Sequence, residues 1–378
     1  MDYNRKCIFH IPNKIDKNGN SASQIRPKKM AQAFRNIGYD VDVIMGYGAE
    51  RKKMIDKIKR KICNGEKYDF LYSESSTMPT LLTEKNHLPL YPRLDFSFFS
   101  FCKKNGIPIG LFYRDIFWKF PEYKYKVSII KYFIAILAYK YDLTQYNKIL
   151  DKFYLANEKV IDYINYRNLR KKSDILFPGA ECKKKILLEK NIYYNYFFTN
   201  NNILSLFYVG GIGGNYKFIK LLEGIYDLKW IKLTICCRQD EWENVKNQYK
   251  IYLTDRIKII HESGESLEKY YKESTICMAF FEWGEYMSLA MPVKIFEYLT
   301  YVTPIIATKN TSAGKFVTEN DIGWSIEYDV ESLRNLLEYL HFNSHEILEK
   351  HQNAIQVLKQ NTWEKRAEKV KSQLSFNK

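Results

Sequence analysis

The sequence predicts an α/β protein made of two doubly wound, parallel-sheet domains. Two observations carry that class. Short apolar β-type runs alternate with helical patterns throughout, the order that parallel strands joined by crossover helices require. The alternation breaks at ILFPGAECKKK, residues 175–185, where Pro178 and Gly179 interrupt it, and then starts again. A chain of 378 residues also exceeds what one hydrophobic core usually supports.

In the first series, strands are expected at 6–12, 39–46, 68–73, 107–113 and 152–156, with helices at 23–37 and 54–64. The second series places strands at 204–210, 231–237, 257–261, 275–281, 303–308 and 323–328. The polar, aromatic stretch NIYYNYFFTNNN reads as linker. The expected organisation is an N-terminal domain over 1–175, a linker over 176–203, a second domain over 204–360, and a charged helix around Trp363 over 361–378 that packs back on the first domain.

A content of 46% hydrophobic and 27% charged residues excludes a disordered chain. The net charge of +16 points to an anionic partner, with codon bias as the plain alternative. No uncharged apolar run reaches the ~18 residues of a membrane span. The start, MDYNRKCIFHIP, reads as a strand and not as a signal peptide. The cysteines (Cys7, Cys63, Cys102, Cys182, Cys236, Cys237, Cys277) never fall in a CxxC pair. Neither a zinc site nor a disulfide framework is expected, and a reducing, cytoplasmic setting is.

Open parallel sheets bind ligands beyond the carboxyl ends of their strands. The residues that follow the strands are Gly19, Asn20 and Ser21, then Arg114 and Asp115, the run GGIGGNY (210–216) with Gly211, then Arg238, and His261 with Glu262. The glycine run reads as a strand-to-helix turn whose amides approach a phosphate, or as a tight turn only. It lacks the GK[ST] of a phosphate loop. In AMPVKIFEYLTYVTPIIAT, 290–308, Lys294 and Glu297 stand three apart, hence on one helix face. That helix is expected to begin near Met291–Pro292, with proline in its first turn. A diphosphate suits the helix N-terminus and Lys294 together, and a carboxylate one turn later suits a ribose diol. The alternative is an ordinary surface ion pair.

This last run resembles the nucleotide-sugar-binding segment of retaining glycosyltransferases of family 4, the group-1 type, whose pattern is close to MPxKxFEYLxxGxPIIAT. FYVGGIGGNYKFIKLLEGI (207–225), NGNSASQIRPKKMAQAFRNIGYDVDVIMG (18–46) and NTWEKRAEKV are similar to that family's other segments. The resemblance implies the GT-B fold, two facing Rossmann-like domains with a C-terminal helix crossing back to the first. It implies transfer of a hexose-type sugar from a nucleotide-diphosphate sugar to a saccharide hydroxyl, with retention, no metal and no cofactor. Glu297 would take the ribose, and Arg238 and Lys294 would face the diphosphate with the amides of Ser288, Leu289 and Ala290. His261 and Glu262 would flank the base, and Asp115 and the Gly19–Ser21 loop would meet the sugar and the reacting hydroxyl. The sequence departs from the pattern at Leu289, where the family's first glutamate falls, and at Val302–Thr303, where a glycine precedes the proline.

Asp40 and Asp42 spell a DxD inside a β-type run and read as strand positions, not metal ligands. His341, His345 and His351 read as a solvated helix face. KYKVSIIKYFIAILAYKY, 124–141, suits a helix lying at a membrane interface, or a buried core helix. Basic clusters at Arg51–Lys53, Lys57–Lys61, Lys103–Lys104 and Arg167–Lys172 all fall in the first domain. Together they suggest a lipid-linked or surface-polysaccharide acceptor met at an anionic inner leaflet. The rivals are an epimerase of the same fold, a non-catalytic sugar-nucleotide sensor, and a basic nucleic-acid-binding protein. No module of the last kind is recognisable, and no nucleic-acid partner is expected.

Overall fold

Strands such as Phe70–Glu74, Ile109–Phe112, Ile276–Ala279 and Ile305–Thr308 are buried at every residue. That is the signature of parallel strands covered by helices on both faces. The computed structural model describes residues 5–16, 19, 22–200, 203–214, 216–282 and 284–375, with side chains of 22 and 195–200 excepted. The chain divides into two units, Met1–Pro178 with Trp363–Lys378, and Gly179–Thr362.

The first unit holds β1 (Arg5–His10), α1 (Ala22–Asn36), β2 (Tyr39–Ile44), α2 (Gly48–Cys63), β3 (Phe70–Glu74), α3 (Leu94–Lys104), β4 (Ile109–Phe112), α4 (Glu122–Lys126), α5 (Ile129–Ile149), β5 (Lys152–Leu155), α6 (Arg167–Lys172) and β6 (Ser173–Ile175). Its strands pair in parallel in the order β2-β1-β3-β4-β5-β6, so the chain reverses direction across the sheet between β1 and β3. The C-terminal helix, Trp363–Ser375, buries Trp363, Ala367, Val370 and Leu374 in the same core as Met30 and Phe34 of α1.

The second unit holds α7 (Lys184–Asn200), β7 (Leu204–Val209), α8 (Ile219–Ile225), β8 (Ile231–Cys236), α9 (Gln239–Tyr249), β9 (Ile257–Ile260), α10 (Glu268–Glu273), β10 (Ile276–Ala279), α11 (Glu285–Leu289), α12 (Val293–Thr300), β11 (Ile305–Thr308), α13 (Ser312–Glu319), β12 (Gly323–Ile326), α14 (Val330–Phe342) and α15 (His345–Gln360), after which the C-terminal helix is α16. Its sheet order is β12-β11-β10-β7-β8-β9, all parallel, with the switch between β7 and β10.

Three expectations change. The stretch 176–203, read as linker, contains α7, which is built into the second unit. Lys190 is fully buried and donates to the carbonyls of Tyr271 (2.7 Å), Lys272 (3.0 Å) and Ser274, closing the C-terminal end of α10. His351 is buried instead of solvated, with Nδ1 donating to Val302 O and Nε2 beside the side-chain amide of Asn191, both at 2.7 Å. Arg51 is no surface charge either. It is buried, gripping Asp95 with Nε at 2.9 Å and Nη2 at 3.1 Å.

Candidate functional site

In the second unit, β7 runs at the switch point into Gly210–Gly214. Gly210 takes φ 145°. A Cβ there would lie 2.5 Å from Lys294 Nζ and 2.9 Å from Tyr208 Oη. Only glycine lets the ammonium lie this close to the chain. Gly213 and Tyr216 exchange backbone hydrogen bonds at 2.9 Å, which makes a tight turn. Because α8 begins only at Ile219, the glycine run does not lead directly into a helix N-terminus, contrary to the strand-to-helix expectation.

Pro292 caps α12, whose second residue is Lys294. Lys294 Nζ donates to Tyr208 Oη at 2.8 Å, and that hydroxyl donates to Gly211 O at 2.8 Å. The ammonium also sits 4.1 Å from the Tyr208 ring centroid and 5.0 Å from that of Tyr216. Burial among these rings lowers its pKa to about 7, with Glu297 opposing the shift. This is not the environment of a surface ion pair. One turn on, Glu297 Oε2 accepts from Tyr271 Oη at 3.3 Å, and the Tyr271 ring is stacked on Tyr301. The helix therefore offers a cation and, one turn on, an oriented carboxylate.

The other predicted residues surround this pair unevenly. Arg238 caps α9 and is exposed, with Nη1 bonded to Glu241. Glu241 Oε2 also accepts the Ile212 amide at 3.2 Å, tying the glycine loop to α9. The sequence reading passed over Glu241, although an acid three residues after a cap arginine is a usable signal. His261 is exposed, and its Nδ1 donates to Cys237 O at 2.9 Å. Glu262 accepts from Tyr270 Oη at 2.8 Å and pairs with Lys269 at 3.4 Å. The Tyr270 bond, foremost, holds its carboxyl below the usual range.

The amides of Ser288 and Ala290 bond Gly284 O (2.9 Å) and Met287 O (3.2 Å), and Leu289 is buried. Those amides are taken up by the short helix α11, so the expectation that they face a diphosphate does not fit this geometry.

In the first unit, Gly19 O accepts from Lys28 Nζ at 3.4 Å, whereas Asn20 and Ser21 lie outside the described residues. Asp115 Oδ1 accepts the Phe117 amide at 2.8 Å and starts the single turn Phe117–Lys119. Asp40 and Asp42 of the DxD pair with Lys6 (3.4 Å) and Lys61 (2.7 Å). Among the described residues, no group of three or more His, Cys, Asp or Glu side chains is placed to hold a metal.

Residues 270–368 match the profile of the glucosyltransferase 3-like, C-terminal domain, a span that includes α12 and β11. A search of curated proteins finds no match. The whole fold is similar to that of HepE from Anabaena, solved in complex with UDP-glucose (TM-score 0.63, 10% identity, 98% of this chain and 99% of that one). It is similar to sucrose-phosphate synthase from Thermosynechococcus elongatus (TM-score 0.60, 13% identity, 97% and 98%). It is also similar to WaaG, a glycosyltransferase involved in lipopolysaccharide biosynthesis (TM-score 0.61, 12% identity, 98% and 100%). At these identities the likeness establishes the architecture, which is GT-B.

Proposed function

We propose that this chain, a glycosyltransferase of the GT-B fold with a glucosyltransferase 3-like second domain, moves a hexose-type sugar from a nucleotide-diphosphate sugar to a hydroxyl of a saccharide acceptor. The observation that carries the reading is Lys294 lodged against Gly210 at the start of α12, with Glu297 one turn behind it. Departure of the nucleotide builds negative charge on the diphosphate. A fixed cation and a helix N-terminus aimed at that charge stabilise the transition state more than the ground state. Glu297 accepts the ribose hydroxyls, the strand ends at His261 and Glu262 border the base, and Arg238 adds a second positive charge once drawn from Glu241. Asp115 and the Gly19 loop serve the sugar and the acceptor hydroxyl. Retention and independence of metal rest on the resemblance of the 290–308 run.

The acceptor in this reading is a lipid-linked or surface-polysaccharide precursor, met at the anionic inner face of a membrane. Support comes from α5, whose first half turns Ile129, Ile130, Phe133, Ile134 and Leu137 to solvent, with Phe133 59% and Ile130 70% exposed. These positions form one stripe, and the exposed Lys124, Lys126, Lys131 and Lys140 lie beside it. The second half, from Ala138 to Ile149, is anchored in the core by Tyr139, Leu143 and Tyr146. Within 124–141 only Ala135, Ala138 and Tyr139 are buried, and the exposed stripe is what supports the interface reading. Among the described residues no helix is long and apolar enough to cross a membrane.

The test is release of nucleoside diphosphate from a panel of nucleotide hexoses, with wild type and Glu297→Ala compared. Release that depends on Glu297, with a product keeping the donor's anomeric configuration by NMR, supports the reading. Absence of release and of binding across the panel would sink it.

A further inference from the structure

At the carboxyl edge of the first unit's sheet, two arginines converge on one buried carboxylate. Glu74 ends β3 and is fully buried. Its Oε1 accepts from Tyr72 Oη at 3.1 Å, and its Oε2 accepts from Arg114 Nη2 at 2.6 Å. Arg114 is further fixed by its Nε on Ser75 O at 3.1 Å. Glu74 is therefore satisfied before Arg26 is considered.

Arg26, on the second turn of α1, is only 2% exposed. Its Nε lies 3.2 Å from Glu74 Oε1, and its guanidinium carbon lies 3.5 Å from the Phe112 ring centroid. Stacking uses the face of the guanidinium and leaves its donors in the plane. Among the described residues, neither Nη1 nor Nη2 makes a hydrogen bond, although both are buried. Unmet buried donors of this kind are rare in native proteins and carry a desolvation cost. A third guanidinium, Arg366 of α16, lies within electrostatic reach of Arg26. Burial chiefly, and Arg26 next, lower its pKa to about 10. Positive charge and open donors thus accumulate where a doubly wound sheet receives its ligand, beside the β1–β3 switch point.

We propose that Arg26 and Arg114 form an oxyanion subsite, which takes a phosphate or carboxylate group carried by the acceptor. Two in-plane N–H donors on Arg26 match two oxygens of such a group, and the surplus charge matches its sign. The inference rests on the transferase reading only in assigning the oxyanion to the acceptor. The subsite itself lies wholly within the first unit.

The test follows the thermal midpoint of the full-length protein as inorganic phosphate, or acetate as the carboxylate probe, replaces sodium chloride at constant ionic strength. Wild type, Arg26→Met, Arg26→Lys and Lys294→Met are compared. The expected result is a rise of at least about 2 °C with one of the two anions. The rise is kept in Lys294→Met, reduced in Arg26→Lys and absent in Arg26→Met. In chloride alone Arg26→Met should melt close to wild type, because the lost Glu74 contact and Phe112 stack are offset by the removal of unmet donors, and the Arg114–Glu74 pair stays intact. A rise with neither anion, or one lost in Lys294→Met and kept in Arg26→Met, overturns the proposal. So does an Arg26→Met protein that unfolds well below wild type in chloride, which marks a structural arginine. Failure of the transferase reading shows separately, as loss of nucleotide binding with the anion response unchanged.

Discussion

Lys294 donates to the hydroxyl of Tyr208 at 2.8 Å, and the same tyrosine's ring lies beneath the ammonium. The pair joins α12 to the strand that precedes the glycine loop. With a pKa lowered to about 7 by burial, Lys294 is only partly charged at neutral pH before a ligand arrives. A bound diphosphate restores the charge, so binding takes up a proton. Nucleotide affinity should therefore fall between pH 7.5 and 9, by up to about tenfold per pH unit. Lys294→Met should bind weakly and lose this slope. Calorimetry across that range reads both, and a flat wild-type profile contradicts the account.

Val302 takes φ +46° while fully buried, at the position where the resembled run has glycine. A β-branched residue in the left-handed region is strained by about 1–2 kcal/mol. Replacing it by alanine removes packing and keeps most of the strain, whereas glycine removes both. Val302→Gly should thus be the more stable of the two variants by about 1 kcal/mol in denaturant unfolding, the reverse of the usual order. Alanine proving the better residue would show that the left-handed turn is not retained.

The same turn is held by His351, whose Nδ1 bonds Val302 O. Burial, foremost, lowers the pKa of this ring to about 4. The unfolded chain protonates nearer pH 6.5, so the contribution is complete above that value and is lost as pH falls toward 4. The loss amounts to something on the order of 3 kcal/mol at most. Stability of the wild type should decline between pH 6.5 and 5, above the range where carboxylates add their own effect. His351→Gln should show a shallower slope there, and equal slopes would contradict the assignment.

How much of this was legible in the sequence depended on how local the signal was. Ile109–Phe112 and Ile305–Thr308 were plain, because a strand covered on both faces reads as a nearly continuous apolar run. Ser173–Ile175 was not, being three residues long with a polar start at the sheet edge. Helix α7 reads as linker in the sequence because its role depends on Lys190 reaching carbonyls 81 to 84 residues further along the chain. Lys294 and Glu297 were legible from spacing, but the ring cage around Lys294 and the loop tie made by Glu241 are tertiary. The buried state of His351 and Arg51 was likewise hidden, since each side chain finds its partners through the fold.

The exposed stripe on α5 predicts binding to vesicles containing anionic phospholipid. Replacing Phe133 or Ile130 by glutamate should lower co-sedimentation with such vesicles by about tenfold or more. Both side chains face solvent, so melting temperature should be unchanged. Equal binding of wild type and variants, or equal binding to neutral vesicles at physiological salt, would remove the membrane from the account.

A nucleotide-sugar site built on α12 is tested first by direct ligand binding. Thermal stabilisation would be measured with UDP, GDP, dTDP, CMP and ADP, for wild type and for Glu297→Ala. One nucleoside diphosphate should stabilise the wild type by at least about 2 °C at saturating ligand, and Glu297→Ala should lose the effect. No stabilisation of folded wild type by any of them, or one that Glu297→Ala leaves intact, would contradict it.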